Sequence, residues 1–431
     1  MTTKITEKNI SSLSNFGVDW QAVIVADGST ATSVEAGKGY FIDTTSNAHT
    51  VTLPSSPNAG DTIAIKDYAG TFASNNLTIS RNGHNIQGVA NNSLISTNRA
   101  NVELAYIDST KGWLYTNESN VADLESGTFI AATGGTVATS GDYKIHSFTG
   151  DGCFVVSTVG NPAGSDSVDY LVVAGGGSGG GEMGGGGGGG GFRLSNSTCM
   201  PAPTTSPLAT PTSITVSTST YPVTVGGGGT ATPGVGGSGS PSIFSTITST
   251  GGGGGANSGA PGAGLTGGSG GGGGGTPSGG TGGSGNTPPT SPSQGNNAGN
   301  AAGGGSSEAG GGGGGASGTG AAAVSGTSGG NGGAGSYVLS TGFGGCNGEA
   351  GPVCGARYFS GGGGGGGAAS VGTAGTGGVG GAGNGIVPST SPSASQPGDA
   401  NTGGGGGGQK NGAGAGGTGG SGIVLIRYKF Q

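Results

Sequence analysis

Glycine occurs in uninterrupted blocks throughout the second half of the chain, and no other feature limits the possible folds as strongly. The blocks are residues 184–191, 251–255, 310–315, 361–367 and 403–408. Glycine, serine and proline at this density, without a strict period, are typical of disordered segments that bury little apolar surface. Apolar strands at residues 168–174 and 423–430 enclose the region, however, and a disordered tail needs no closing strand. We therefore expect an ordered domain.

An ordered glycine-rich domain is possible because glycine has no Cβ, so extended left-handed helices with three residues per turn can pack with their backbones almost touching. The Gly-X-Y period of collagen is absent. Blocks of this length would make rods of roughly 15 to 25 Å, at about 3.1 Å per residue. Lateral hydrogen bonds between the rods would satisfy their buried amides. The sequence thus predicts packed polyglycine helices attached to a β scaffold.

Several motifs in this half appear in a fixed order: DYLVVAGGG at 169–177, YPVTVG at 221–226, SIF at 242–244 and GIVLIRY at 422–428. In this order they resemble the glycine-rich domain of bacteriophage tail fibres and adhesins. The resemblance covers about residues 125–431. It implies a β-sandwich that carries a lattice of polyglycine helices and presents loops to the host surface.

The first part of the chain has short alternating strands separated by turn residues, from Trp20 to about residue 115. This spacing predicts a β-sandwich. The runs GYFID at 39–43, VTLP at 51–54 and GDTIAIKD at 60–67 also resemble a small β module of phage tail fibres, which implies a homotrimer.

The whole chain is therefore predicted to be all-β, with little or no α-helix. We divide it into four parts: an N-terminal arm for attachment to the virion, a β-sandwich fibre module, a polar connector and a glycine-rich β plus polyglycine domain. These parts are residues 1–19, 20–117, 118–127 and 128–431.

Composition excludes several classes of partner. Thirteen Lys and Arg against 20 Asp and Glu leave no basic stripe for nucleic acid. No apolar run is long enough to enter a membrane as a spanning helix. The first 13 residues lack the apolar core of a signal peptide, so we expect synthesis in the host cytoplasm and localisation in the virion.

The sequence contains short matches to catalytic and cofactor-binding motifs, but the residues around them do not provide what those motifs require. The strand and GxGxxG pattern at 171–180 is followed by polyglycine, which cannot hold the helix that a dinucleotide site requires. The GxSxG matches around Ser178 and Ser269 lack a histidine, because His49, His84 and His146 all precede them. Histidine and cysteine spacing shows no metal site. We expect no enzymatic activity and no cofactor.

The bulkiest side chains within the glycine-rich region cluster around a short loop. Aromatic rings and arginine suit the recognition of surface groups. A small hydrophobic plug is the other interpretation, and it is the one that the residue types favour. The candidate receptor contacts are Phe343, Arg357, Tyr358 and Phe359.

Two cysteines flank the same loop. Cys346 and Cys354 are eight positions apart and are a candidate disulfide, although two free thiols are the usual state of a protein made in the cytoplasm.

The function that the sequence favours is a non-catalytic tail fibre that recognises a bacterial surface glycan or an outer-membrane protein. Its N-terminal arm would contact other tail or baseplate proteins. A capsid or neck decoration without receptor binding, and a depolymerase of surface polysaccharide, remain as alternatives.

Overall fold

The computed structural model describes residues 18–120, 127–195, 206–259, 261–304, 308–325, 328–367, 372–386, 395–410, 412 and 414–431. The chain divides into two compact units, Met1–Glu125 and Ser126–Gln431. The described residues contain no α-helix, and their one helical element is a π-helical turn, Ser340–Gly344. For the described residues, the prediction of a nearly all-β fold is confirmed. Of the predicted N-terminal arm, residues 1–17 lie outside the described residues.

The described residues of the first unit form ten strands. They are β1 (Asp19–Trp20), β2 (Ile24–Val25), β3 (Thr32–Ser33), β4 (Lys38–Asp43), β5 (His49–Thr52), β6 (Thr62–Asp67), β7 (Leu77–Ser80), β8 (Ser93–Ile95), β9 (Ala100–Asp108) and β10 (Gly112–Asn120). Two sheets, β1-β4-β6-β9-β10 with β2 beside β4, and β3-β5-β7-β8, share one apolar core.

Strands β2 to β7 alternate between these two sheets, so neighbours within a sheet run parallel in this part of the unit. Ile24 pairs with Ile42, and Tyr40 pairs with Ile65, both in parallel register. Only the last strands, β8 to β10, pair antiparallel. The predicted two-layer arrangement is therefore present, and the chain passes repeatedly from one sheet to the other. Alternation of apolar and polar residues has the same period in both pairing directions, and it could not reveal that path.

Fifteen strands lie in the described part of the second unit. They are β11 (Ala131–Thr133), β12 (Thr136–Ser140), β13 (Tyr143–Phe148), β14 (Gly152–Thr158), β15 (Ser167–Val173), β16 (Phe192–Ser195), β17 (Ala209–Thr210), β18 (Ile214–Thr215), β19 (Ser219–Thr224), β20 (Ser242–Phe244), β21 (Ile247–Ser249), β22 (Ser336–Leu339), β23 (Glu349–Ala350), β24 (Ala356–Phe359) and β25 (Ile423–Lys429).

Two sheets form the scaffold of this unit, β11-β14-β19-β20-β21 and β12-β13-β25-β15-β16-β17. Side chains from both sheets pack in one core that includes Phe154 and Phe244 from the first sheet and Val172 and Ile426 from the second. The closing strand β25 lies between β13 and β15. It therefore occupies a central position, as expected of a strand that anchors the end of the region.

Extended glycine segments continue directly from these strands, and we call each of them a rod. Residues 174–181 leave β15 and turn at Glu182 and Met183, and residues 184–191 return into β16. The remaining glycine blocks lie beside this pair and are joined to it by backbone hydrogen bonds. We refer to the ends of the rods at the strands as the sheet end and to the opposite ends as the far end.

The rod at 184–191 is bonded to six neighbouring rods with a repeat of three residues. Its amides donate in rotation to carbonyls of 403–409, 250–256 and 311–314, at 2.7–2.9 Å. Its carbonyls accept in rotation from amides of 363–366, 174–180 and 269–272. Every amide of this rod, and every carbonyl apart from that of Gly190, thus has its partner in a neighbouring segment.

Glycine is required in the central rod because no space exists for a side chain. A Cβ at Gly187 would lie 2.0 Å from the carbonyl oxygen of Gly177, and one at Gly186 would lie 2.0 Å from that of Gly363. None of residues 184–191 has φ in the left-handed range. Close approach of backbones, rather than a special φ, explains the composition of the rod.

A buried ion pair joins β15 to β25. Arg427 Nη2 donates to Asp169 Oδ2 at 3.0 Å, and both side chains are only 4% exposed. The Ser195 hydroxyl donates to the other carboxylate oxygen, Asp169 Oδ1, at 3.2 Å. The guanidinium group also lies over the rings of Tyr143 and Phe343, 5.0 and 4.8 Å from their centroids.

His146 is buried in β13, and burial lowers the pKa of its imidazole below the usual value of 6.5. Its Nδ1 lies 2.7 Å from the carbonyl oxygen of Gly134, so this nitrogen carries the hydrogen and donates. Its Nε2 then accepts from the Tyr428 hydroxyl at 3.2 Å. The neutral ring therefore bridges β13, β25 and the turn before β12.

The second unit is expected to lose stability as the pH falls below about 6.5, because His146 is its single histidine. Below that value the unfolded chain binds a proton that the folded state resists. The free energy of unfolding then falls by up to about 1.4 kcal/mol per pH unit until the lowered folded-state pKa is reached. Urea unfolding of the full-length protein between pH 7.5 and 5.5 measures this change. His146→Gln should remove the pH dependence of the free energy of unfolding over this range, and a wild-type protein whose stability stays constant there would contradict the assignment.

Candidate receptor-contact surface

The four predicted receptor contacts lie in one insert between two rods, residues 336–359, at the sheet end. Here β22 and β23 both pair with β24, and the π-helical turn follows β22. Of the four residues, Phe343 and Phe359 pack in the same apolar cluster. It also places the insert beside the scaffold, because Arg427 Nη1 donates to the carbonyl oxygen of Gly342 at 3.1 Å.

Burial decides which of the four can meet a partner. Phe343 and Phe359 are fully buried in an apolar cluster with Leu171 and Leu425, and Tyr358 is 7% exposed. Arg357 alone is partly exposed. Phe343 and Phe359 thus form the hydrophobic plug that was the other interpretation of this group. Receptor contact by the insert stays a prediction, and it rests on Arg357.

Two further contacts fix the insert. The carboxylate of Glu349 accepts from the amides of Gly380 and Gly381, at 2.5 and 2.6 Å, in the turn between two rods. Charge-assisted bonds of this kind are stronger than neutral ones.

Cys346 and Cys354 are free and exposed in the structure. A disulfide between them stays a prediction.

The far end of the rods presents a different surface, because successive turns of the chain meet there. Described parts of it are residues 182–183, 230–235, 257–259, 276–279 and 324–325. Hydrogen bonds tie these turns to the ends of the neighbouring rods. The bonds are Gly181 N to Gly234 O at 2.9 Å, Ser258 N to Glu182 O at 3.0 Å, Met183 N to Lys410 O at 3.1 Å and Gly275 N to Met183 O at 2.8 Å.

The turn at the centre of the far end is strained. Glu182 and Met183 have φ of 28° and 46°, a range that residues with a side chain rarely adopt. Such conformations persist only where the surrounding structure fixes them, and they concentrate at functional sites. Glu182 is exposed at this position.

Exposed apolar and hydroxyl side chains surround this central turn. Val235 and Val324 are 44% and 57% exposed, and Pro277 and Ser278 are exposed beside them. Residues 280–285 form a rod between two turns at opposite ends. The far-end residues were not recognised from the sequence. A signal was available, since each interruption between consecutive glycine blocks marks a turn.

The far-end surface carries little charge in the part of it that the structure describes. In the ranges given above, the one charged side chain is that of Glu182. Over the described residues no group of three or more potential metal ligands occurs. In that same part of the chain, no helix has both the length and the apolar character of a membrane span.

Comparison with known proteins gives a match for each half of the chain. Residues 149–429 match the family model described as a glycine-rich domain. Residues 12–125 match the model described as bacteriophage T4 gp9/10-like protein, N-terminal. No curated protein matches the chain.

Proposed function

The chain belongs to the glycine-rich domain family and carries a T4 gp9/10-like N-terminal domain of the kind found in phage tail and baseplate proteins. We propose that it is a tail fibre that binds a host-surface receptor without catalysis. The protein would act as a component of the virion. Its receptor would be a surface glycan or an outer-membrane protein.

The observation that supports receptor binding is the arrangement of turns at the far end. Each rod is held laterally by several others, so the turns are carried on a rigid support. Binding residues are often found on loops that a rigid scaffold positions. Pre-positioned loops also lose less conformational entropy when they bind. The far-end surface is therefore a better candidate contact than the mostly buried insert at the sheet end.

We further propose that the rods are polyglycine helices of the polyproline II type. The three-residue repeat of the lateral hydrogen bonds supports this, because that helix has three residues per turn. The protein would form a homotrimer. Its N-terminal arm would attach the trimer to other tail or baseplate proteins.

Charge introduced at the far end tests receptor binding. Val235→Glu and Val324→Glu are each expected to weaken saturable binding of the full-length protein to host cells by about tenfold, since a buried unpaired carboxylate is costly at an interface. Val137→Glu is the matched control, because Val137 is 48% exposed on the edge strand β12, away from the far end.

Labelled protein and intact cells of candidate hosts give the readout. Loss of binding in the control as well would move the contact away from the far end. If the wild-type protein binds no host, the fibre is structural. Breakdown of surface polysaccharide during the assay would indicate a depolymerase instead.

A further inference from the structure

A pocket of about 210 Å³ opens at the start of β13 and β15 and the end of β25. These strand ends are opposite to those that continue into the rods, so the pocket is separate from the far-end surface. Tyr143, the loop at 162–167 and Lys429 form its rim.

The inner wall of the pocket is the buried pair of Asp169 and Arg427. Their hydrogen bonds to each other, to Ser195 and to Gly342 hold both side chains in place. The Tyr143 ring packs on the guanidinium group at 5.0 Å. The wall is therefore fixed before any ligand arrives.

The rim carries polar groups that the protein does not use. Among the described residues, the side chains of Asp166, Ser165 and Ser167 have no hydrogen-bond or ion-pair partner. The ammonium group of Lys429 has only the ring of Phe129 near it, at 5.6 Å. One carboxylate, one ammonium and two hydroxyls thus surround a small space with unused donors and acceptors.

These groups specify the chemistry of a ligand. The four charged residues of the lining, Asp166, Asp169, Arg427 and Lys429, sum to zero, so a neutral ligand meets no net repulsion. Neighbouring hydroxyls of a sugar donate to a carboxylate and accept from an ammonium group at the same time. The half-buried Tyr143 offers an aromatic body with a polar tip.

Size restricts the ligand further. Pockets for drug-sized molecules have volumes of about 300–1,000 Å³, so 210 Å³ holds only a single ring. We propose that this pocket binds one neutral pyranose, as a free sugar or as the end of a glycan, with Asp166 and Lys429 as its hydrogen-bonding residues. This site is independent of the far-end surface, so the two proposals can fail separately.

The test is a titration of the full-length protein with glucose, galactose, mannose and N-acetylglucosamine, followed by saturation-transfer NMR. One of these sugars is expected to bind saturably, with Kd in the millimolar range that suits so few contacts. Asp166→Asn and Lys429→Met should each weaken that binding by about tenfold. The control is Asp142→Asn, which removes an exposed carboxylate beside Tyr143 but outside the lining and should leave binding unchanged.

Three outcomes would overturn the proposal. They are no binding by any of the four sugars, equal binding by the two pocket variants and the wild type, and preference for glucuronic or sialic acid over the neutral sugars. Hydrogen exchange of β15 and β25 confirms that each variant is folded.

Discussion

Gly187→Ala is expected to unfold the glycine-rich unit or to destabilise it by about 3 kcal/mol or more. The added methyl group would lie 2.0 Å from the Gly177 carbonyl oxygen. Relief requires this rod to separate from the rod at 174–181, and separation breaks the hydrogen bonds from Gly177 N to Gly188 O and from Gly180 N to Gly185 O. Overpacking is therefore combined with the loss of buried backbone bonds. Thermal unfolding of the full-length protein, followed by hydrogen exchange in residues 174–191, measures the effect.

Gly227→Ala is the matched control, because a Cβ at Gly227 meets nothing within 4 Å and its φ lies outside the left-handed range. Its stability should stay within about 0.5 kcal/mol of the wild type. Equal stability of both variants would mean that close backbone packing does not hold the central rod in place.

Asp169→Asn is expected to destabilise the same unit by about 3–5 kcal/mol, because it leaves the charge of Arg427 buried without its counter-ion. The amide keeps the shape of the carboxylate, so lost charge rather than lost volume causes the effect. Urea unfolding of the full-length protein provides the measurement. Lys38→Met is the control, since it breaks the exposed pair with Glu35 and should change stability by about 0–1 kcal/mol.

The double variant Asp169→Leu with Arg427→Met separates two explanations. If the cost of Asp169→Asn comes from an unpaired buried charge, removal of both charges should recover much of it. A double variant that is as unstable as the sum of its single changes would instead assign the loss to packing.

Much of the fold was predictable from residue patterns. The strands at 77–80 and 143–148 can be recognised in the sequence, because runs with apolar residues there end at turn residues. The sheet partners were not predictable, since the pairing of β13 with β25 joins residues that lie far apart in the sequence. The strand β12 was missed because all of its residues except Ser140 are exposed, which leaves no apolar alternation.

The candidate site was less predictable than the fold. Phe343, Arg357 and Phe359 were noticed because bulky residues are rare in this region, yet rarity cannot separate a buried plug from a binding patch. The partner of Phe343 is Arg427, a residue of the closing strand. Such a contact depends on the three-dimensional path of the chain between them.

The three-residue bonding repeat also limits how this protein can diversify. Adding or deleting one residue inside a rod would turn every later amide by a third of a revolution and direct it to the wrong neighbour. A length change at a far-end turn leaves the rods on either side in register. Descendants of this sequence should therefore vary in the length and composition of those turns while the rods between them stay constant.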